Sequence, residues 1–153
     1  MTTKPTAHDY SVSIVVPHVP NTRARELENL KAALDKQTVG FDELLIIAEE
    51  QSAAKNNNIG WKKARGDIIW FVANDVIPTK KALQNALKVF QERNPDGVDG
   101  RIYGGIKRKY DWGFMTGHIL YTKTILESIG GFDERFTAWR FDTDFAWSVL
   151  DRG

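Results

Sequence analysis

The sequence predicts an α/β fold, a three-layer sandwich in which helices cover both faces of a mostly parallel central sheet. Short apolar runs rich in β-branched residues alternate with helical patterns at intervals of about 25 residues, which is typical of right-handed strand-helix-strand units. The run Ile68–Val72 is apolar throughout, as expected for a strand covered on both faces. At 153 residues, the chain is long enough for one such core but not for two.

The first part of the chain contains three strand patterns that alternate with three helix patterns. Pro17 ends the first strand, and Leu27, Leu30 and Leu34 form a single apolar face on the first helix. The predicted strands are 11–16, 43–47 and 68–72, and the predicted helices are 23–36, 52–63 and 79–93. Three strands joined by helical crossovers indicate a nucleotide-binding α/β unit.

The pattern changes from Val98 onward, where glycines interrupt short aromatic-rich pieces. These pieces predict an irregular sheet and a loop. A short helix over 122–129 should end at Gly130 and Gly131, because glycine readily adopts the left-handed conformation that follows a helix. A last helix is predicted over 142–150.

These patterns predict one domain preceded by a short lead-in. Residues 1–10 are polar and irregular, and we expect them to be flexible. Residues 11–153 should form a single domain, with a nucleotide-binding half at 11–97 and a second half at 98–153.

Composition excludes several classes of function. A net charge of +1 argues against nucleic-acid binding, which needs a dense basic surface. The chain has no cysteine, so disulfides, thiolate metal sites and cysteine nucleophiles are excluded. No apolar run approaches the ~20 residues of a transmembrane segment, and the first residues lack the apolar stretch of a signal peptide. We therefore expect a cytoplasmic protein.

Asp75 is the first candidate for chemistry. It follows the apolar strand 68–72 with only Ala73 and Asn74 between, which places it at the carboxyl end of a buried strand. In open α/β sheets, ligands bind in the crevice outside the carboxyl ends of the strands. The alternative is that Asp75 only caps the helix that begins near Thr79.

Several short motifs in one order carry a resemblance to a known family. In chain order they are SIVVP at 13–17, Gln37–Thr38, Asn58–Ile59–Gly60, ARGD at 64–67, FVANDVIP at 71–78, GGFDE at 130–134, DTD at 142–144 and Arg152–Gly153. Together they resemble the GT-A fold glycosyltransferases of family 2 over nearly all of 11–153. The resemblance implies a Rossmann-like sandwich whose residues 98–153 form the acceptor-binding half.

The resemblance also implies an activity and a cofactor. A family member transfers a sugar, with inversion, from a nucleotide-diphosphate sugar (most often a UDP-sugar) to a hydroxyl of a glycan or another acceptor. The charge that develops on the diphosphate is usually neutralised by a divalent cation, Mn²⁺ or Mg²⁺, held by oxygen ligands. Asp75 matches the last acid of the family's metal-binding motif, and Ala73 replaces the first. Asp75 is therefore the predicted metal ligand.

Six residues are implied to bind the donor, and Glu49 and Arg65 among them, like Asp75, have structural alternatives. The implied residues are Pro17, Glu49, Asn58, Arg65, Asn74 and Asp75. Ala48 and Glu49 stand where the family carries two aspartates that read the nucleotide base. Glu49 retains an acceptor, although Glu49 and Glu50 could also form a solvated acidic turn. Arg65 could equally pair with Asp67 on the surface.

Asp142 is implied to be the catalytic base that removes the acceptor proton. It matches the aspartate of the family's Glu-Asp pair, and Phe141 replaces the glutamate. Asp142 and Asp144 cannot both be the base, because helix neighbours two residues apart point in different directions. We prefer Asp142, with Asp144 in support, and the alternative is that both only cap the last helix.

The acceptor is implied to bind near Trp112, His118, Trp139 and Asp144. A tryptophan can stack on the apolar face of a sugar ring, but both tryptophans could equally pack in the core. His118 could be a structural residue, and Lys107–Arg108–Lys109 could contact the diphosphate or form a solvated face. With acids replaced at Ala48, Ala73 and Phe141, a rival hypothesis is a degenerate or truncated module that binds a nucleotide or sugar without catalysis.

Overall fold

The computed structural model of the chain describes residues 9–100, 117–138 and 140–152. These residues form one sheet and the helices that cover it. The strands are β1 (Val12–Pro17), β2 (Glu43–Ile47), β3 (Ile68–Val72), β4 (Gly97–Asp99) and β5 (His118–Thr122). The helices are α1 (Ala24–Asp35), α2 (Ala53–Lys63), α3 (Ala82–Arg93), α4 (Lys123–Ile129) and α5 (Phe141–Leu150).

The sheet is mostly parallel, as predicted. Its strand order is β2-β1-β3-β5-β4, and β1 pairs in parallel with both β2 and β3. Strand β5 runs antiparallel to β3 and to β4. The carboxyl ends of β1, β2, β3 and β4 and the amino end of β5 therefore lie at the same edge of the sheet, which we call the carboxyl edge. The opposite edge is the amino edge.

Two apolar layers cover the two faces of the sheet, which confirms the predicted three-layer sandwich. Along β3, Ile68, Trp70 and Val72 pack with α1 and α3, whereas Ile69 and Phe71 pack with α2, α4 and α5. Every residue of β3 is fully buried. The uninterrupted apolar run in the sequence thus reflects a strand that is covered on both faces.

Helix α2 lies unusually close to the sheet because Gly60 has no side chain. A β-carbon at this position would lie 2.3 Å from Cγ1 of Val15 in β1. At the amino end of the helix, the Ser52 hydroxyl accepts a hydrogen bond from the Lys55 amide, as expected of an N-cap. Three buried asparagines, Asn56, Asn57 and Asn58, follow within the first two turns.

The start of α3 differs from the prediction. The sequence predicted a helix from Thr79, but α3 begins at Ala82. Gln37 explains the difference, because its side-chain amide donates to the Thr79 carbonyl at 2.8 Å and its oxygen accepts from the Leu83 amide at 3.1 Å. Gln37, which follows the end of α1, therefore caps α3 with its side chain.

Strand β5 is more regular than the irregular sheet that the sequence predicted. Its last residue, Thr122, was expected to be helical, but it ends the strand and its hydroxyl caps α4 by accepting from the Ile125 amide. Gly130 and Gly131 both have a positive φ after α4, as predicted.

The lead-in predicted over 1–10 lies outside the described residues apart from Asp9 and Tyr10. Tyr10 is ordered, since its ring packs against Phe90 of α3 with 6.2 Å between ring centres. Within the described part of the chain, no helix combines the length and the apolar character needed to cross a membrane.

Candidate functional site

Two loops meet at the carboxyl edge, where β1 and β3 end next to each other. The loop after β1 contains His18, whose amide donates to the Ile47 carbonyl at 2.8 Å. The loop after β3 contains Asn74, whose side-chain nitrogen lies 3.0 Å from Nδ1 of His18. The Asn74 side-chain amide and the His18 imidazole are thus joined by a hydrogen bond. Asn74 is buried, so this contact fixes the two loops to each other.

A second contact joins the same two loops, between Asp75 and Arg23. The guanidinium of Arg23 donates from Nη1 to Oδ2 of Asp75 in an ion pair. The side chain of Asp75 is 44% exposed and that of Arg23 is 54% exposed. The carboxylate that the sequence singled out is thus at the predicted edge, accessible to solvent and paired with a cation.

The backbone of the loop after β1 adopts a conformation that is unusual for its residues. Asn21 and Arg23 both have left-handed backbones, with φ values of 62° and 48°. Asparagine tolerates this region, but arginine rarely adopts it. Arg23 is the N-cap residue of α1 and makes no side-chain capping bond, because a guanidinium cannot accept a hydrogen bond from the helix amides. Strained backbones of this kind are common at functional sites.

Glu49 also lies at the carboxyl edge, just after β2. It is exposed and pairs with Nζ of Lys63 at 2.5 Å. Because β2 is two strands away from β3, the ends of these strands are separated by roughly 10 Å along the edge. Pro17, the last residue of β1, lies between them and is half-buried. The three predicted donor residues therefore line one edge.

The structure does not support the prediction that Asn58 binds the donor. Its side-chain nitrogen donates to the Phe132 carbonyl and to Oε1 of Glu134, and its oxygen accepts from the Phe132 amide and from Nε1 of Trp61. Asn58 is only 3% exposed. Its hydrogen-bonding groups hold the GGFDE segment on α2, so Asn58 is a structural residue here.

Arg65 also departs from its predicted role, because it lies at the amino edge. Its amide and Nε donate to the two carboxylate oxygens of Glu43, the first residue of β2. Burial raises the pKa of Glu43, but hydrogen bonds from Ser13 and Arg65 outweigh that effect and lower it. Asp67, the other partner considered for Arg65, instead accepts from Ser11. Arg65 therefore faces away from Asp75.

His118 lies at the carboxyl edge but points into the core. Nε1 of Trp70 donates to Nδ1 of His118 at 2.7 Å, and the two ring centres are 5.2 Å apart. Burial lowers the pKa of His118, which favours the neutral imidazole. His118 was considered either as an acceptor-binding residue or as a structural residue, and these contacts favour the structural role.

Asp142 lies in the first turn of α5, on the face of the sheet that α2 and α4 also cover. Its Oδ1 accepts from the Thr143 amide at 2.8 Å, and the residue is half-buried. Burial raises the pKa of Tyr121 far above its ordinary value, and the charges of Asp99 and Asp142 raise it further. Asp142 is therefore close to Tyr121 in β5 and on the same side as Asp99 at the carboxyl end of β4.

Asp144, two residues further along, has different surroundings. A hydrogen bond to Asp133 raises the pKa of Arg135, and the charge of Asp144 contributes in the same direction. Asp144 is therefore near the exposed Arg135–Asp133 pair. The two carboxylates lie in the same first turn of α5, and which of them acts as a base stays a prediction.

The two predicted sugar-stacking residues, Trp112 and Trp139, lie outside the described residues, as does the basic run at 107–109. Phe141, which stands in place of a carboxylate, is buried, and its ring packs edge-on against Phe132 with 5.5 Å between ring centres. This position therefore takes part in the core.

A divalent cation at the carboxyl edge would need most of its ligands from a bound molecule such as a diphosphate. Among the described residues, no group of three or more His, Cys, Asp and Glu side chains could hold a metal ion. Asp75 supplies one carboxylate at the end of β3. Mg²⁺ and similar ions are commonly held by one or two carboxylates together with the phosphates of a substrate. Asp75 could therefore be one ligand of a cation only if a bound molecule supplied the others.

Sequence reasoning missed Arg23, His18 and Asn57 as residues of interest. The first two lie in the loop after β1, and a signal was available, because polar residues after a parallel strand face the carboxyl edge. Asn57 lies in α2 between Asn56, which bonds the Glu50 backbone, and Asn58. Its amide is buried and has no hydrogen-bond partner among the described residues.

Comparison with known proteins gives a family and a fold. The family model for glycosyl transferase family 2 matches residues 26–150. No curated protein sequence gives a significant match.

Three solved structures are similar to the chain at low sequence identity. S. aureus TarS 1–349 in complex with UDP is 17% identical, with a TM-score of 0.74, over 91% of this chain and 54% of that one. The mannosyltransferase PcManGT from Pyrobaculum calidifontis, in complex with GDP-Man and Mn²⁺, is 17% identical, with a TM-score of 0.75, over 98% of this chain and 56% of that one. Glucosyl-3-phosphoglycerate synthase from Mycobacterium tuberculosis is 13% identical, with a TM-score of 0.70, over 94% and 66%. The chain thus spans little more than half the length of the first two.

Proposed function

Because the chain belongs to glycosyl transferase family 2, we propose that it transfers a sugar from a nucleotide-diphosphate donor to an acceptor hydroxyl with inversion. One observation carries the proposal: an accessible carboxylate, Asp75, lies at the carboxyl edge between two loops that are fixed to each other. Ligands of open α/β sheets bind at this edge.

The donor would lie along the carboxyl edge. Glu49, Pro17 and Asp75 follow β2, β1 and β3 in that order, which suits a nucleotide that extends from its base at Glu49 to its diphosphate at Asp75. Asn74 supports this surface through its contact with His18. Similar structures contain UDP or GDP-Man, which supports a nucleotide donor, and we take a UDP-sugar as the first one to test.

We propose that Asp75 holds a divalent cation, Mn²⁺ or Mg²⁺, together with the diphosphate. When bound, the cation would neutralise the charge on the departing diphosphate. One carboxylate is a small contribution from the protein, so most of the ligands would come from the donor. Mn²⁺ accompanies GDP-Man in PcManGT, which supports this assignment.

Asp142 is the proposed base. In a single displacement, the acceptor oxygen attacks the anomeric carbon, its proton passes to the Asp142 carboxylate, and the bond between that carbon and the diphosphate oxygen breaks. The amino end of α5 stabilises the negative carboxylate before the transfer. Asp144, in the same first turn of α5, would support the acceptor, and Trp112, Trp139 and His118 stay predictions for acceptor binding.

A binding module without catalysis is a second candidate. Phe141 is a core residue, so the carboxylate that the family places there has no functional counterpart at this position. Ala48 and Ala73 remove two further acids. Such a module would bind a nucleotide at the same edge. Either function is compatible with the cytoplasmic location predicted from the sequence.

Calorimetric titration followed by a turnover assay separates these functions. UDP and GDP are titrated into the wild type and Asp75→Ala, each with Mn²⁺ and with chelator. We expect the wild type to bind one nucleotide more tightly with Mn²⁺, and Asp75→Ala to lose that gain. Equal binding with metal and with chelator in the wild type contradicts the role of Asp75. Sugar release that disappears in Asp75→Ala excludes the binding module, whereas nucleotide binding without release from any donor excludes the transferase.

A further inference from the structure

The ion pair between Arg23 and Asp75 occupies the carboxylate that the proposed function assigns to a cation. We infer that Arg23 is the counter-ion of Asp75 in the free protein and a ligand of the diphosphate in the bound protein. Only the second half of this inference, that Arg23 binds the diphosphate, rests on the proposed function. Its first half, competition between Arg23 and a cation for Asp75, concerns the free protein.

The exposure of the pair shows that a ligand could separate it easily. About half of each side chain is accessible to solvent. Exposed ion pairs change an equilibrium by up to about fivefold, because water screens them and both side chains lose freedom. A cation with two charges therefore has only a weak competitor to displace from Asp75.

The position of Arg23 allows its side chain to move while its backbone stays in place. The contact between His18 and Asn74 holds the loop after β1 against the loop after β3. The Arg23 carbonyl accepts the first hydrogen bond of α1 from the Leu27 amide at 3.0 Å. The backbone is thus anchored on both sides. Apart from Asp75, the structure gives the guanidinium no hydrogen-bond partner among the described residues.

The chemistry of the guanidinium suits a diphosphate. Its planar set of donors can bind two phosphate oxygens at once, which lysine cannot do. A diphosphate and its cation at Asp75 would place phosphate oxygens beside a guanidinium that has just lost its carboxylate. Arg23 would then exchange one oxyanion for another without being left unpaired, and the free protein would not expose an uncompensated Asp75.

The first experiment titrates Mn²⁺ alone into the free protein, up to concentrations of several millimolar (~10⁻³ M), because a site with one protein carboxylate binds a cation weakly in the absence of the donor. Removing the competitor should tighten the binding of Mn²⁺ to Arg23→Gln by about two- to fivefold relative to the wild type. Arg65→Gln is the matched control, because it removes the same charge at the amino edge, and it should bind Mn²⁺ like the wild type. Adding Asp75→Ala to Arg23→Gln should abolish the gain. Equal Mn²⁺ binding by the wild type and Arg23→Gln, including no binding by either, overturns the first half.

The second experiment titrates UDP in the presence of saturating Mn²⁺. Arg23→Gln should bind UDP about tenfold more weakly or worse, since a charge-assisted bond to phosphate is lost. Arg23→Lys should bind Mn²⁺ like the wild type but UDP more weakly, because it keeps the charge and loses the paired donors. If the wild type binds UDP and Arg23→Gln binds it equally well, the second half is wrong and the proposed function stands. If the wild type binds neither UDP nor GDP, the proposed function and the second half both fail, and the Mn²⁺ titration still decides the first.

Discussion

Nε1 of Trp70 donates a hydrogen bond to Nδ1 of His118 across 2.7 Å, inside the apolar layer between the sheet and helices α1 and α3. The bond joins β3 to β5 diagonally, because Trp70 is paired with Leu120 and His118 is paired with Val72, the last register pair before the carboxyl edge. It requires an unprotonated Nδ1, because an imidazolium has no acceptor. The neutral histidine is therefore part of the folded state.

This bond predicts that stability falls as the solution is acidified through the histidine range. Burial lowers the pKa of His118 in the folded protein, so the unfolded chain takes up a proton at a higher pH than the folded one. The stabilising contribution is complete above the ordinary histidine pKa and is lost as pH falls below it. Denaturant midpoints of the wild type should thus decrease from about pH 7.5 to about pH 5.5.

His118→Gln provides the comparison for this prediction. Its side-chain oxygen can accept from Trp70, and it does not titrate. We expect His118→Gln to be less stable than the wild type at the higher pH but to change less between the two values. An equal pH dependence in both proteins would show that His118 is not responsible for it.

Asn58 should be among the most sensitive structural residues of the chain. Asn58→Ala leaves the amide and carbonyl of Phe132 and Nε1 of Trp61 without partners in a buried region. Each buried group left without a partner costs about 1–3 kcal/mol, so we expect a loss of about 2–4 kcal/mol in the free energy of unfolding. Chemical denaturation measures it.

Asn56, two residues before Asn58 on α2, is the matched control for that loss. It also bonds a backbone, donating to the Glu50 carbonyl at 2.8 Å and accepting from its amide at 2.9 Å. Glu50 is exposed, whereas Phe132 is buried, so Asn56→Ala should lose less than Asn58→Ala, about 1–2 kcal/mol. Equal losses in the two variants would contradict the structural role assigned to Asn58.

Gly60→Ala should destabilise the protein although alanine is the better helix former. The gain in helix propensity is about 1 kcal/mol. Against it, the new β-carbon would lie 2.3 Å from Cγ1 of Val15, a fully buried residue of β1. Because overpacking a core costs about 1–3 kcal/mol, we expect a net loss of up to about 2 kcal/mol by thermal or chemical denaturation.

A double variant tests whether the contact with Val15 is the cause. Val15→Ala removes the methyl groups that the new β-carbon would meet. Val15→Ala should therefore cost less in the Gly60→Ala background than in the wild type. Additive effects of the two substitutions would mean that the loss arises elsewhere.

The elements predicted correctly from the sequence are those whose bounds follow from the local pattern of apolar and turn residues. Strands β2 and β3 have the predicted bounds because each is a short apolar run between turn residues. The predicted start of α3 was wrong because Gln37, a residue distant in sequence, caps that helix. The regularity of β5 was missed because its strand partners are β3 and β4, and β3 lies far away in the chain.

In the candidate site, too, some positions follow from the local sequence and others depend on contacts between distant parts of the chain. Asp75 could be placed at the carboxyl edge because the edge follows from a parallel strand order. Arg23 could not be paired with it, because the path of a loop is decided by contacts such as that between His18 and Asn74. Asn58 and Arg65 match family motifs, yet the structure uses their side chains for Phe132 and Glu43. A motif match identifies a position, whereas the packing around it decides what its side chain binds.

The last prediction concerns which of two carboxylates on α5 is the catalytic base. Asp142 lies near Tyr121, and Asp144 lies near the exposed Arg135. Asp142→Asn keeps an oxygen that can accept from the Thr143 amide, so the start of α5 should be preserved while the base is lost. General-base catalysis contributes about a hundredfold to ten-thousandfold in rate. Asp142→Asn should therefore reduce sugar transfer by at least about a hundredfold.

Donor affinity and stability distinguish this effect from a structural one. Asp142→Asn should bind UDP with Mn²⁺ as the wild type does, because the base acts on the acceptor. Asp144→Asn should lower the rate less and the denaturation midpoint more, since it removes a charge at the amino end of the helix that favours negative side chains. The opposite pattern, or an Asp142→Asn variant that keeps most of the wild-type rate with a well-matched acceptor, would transfer the assignment of the base to Asp144.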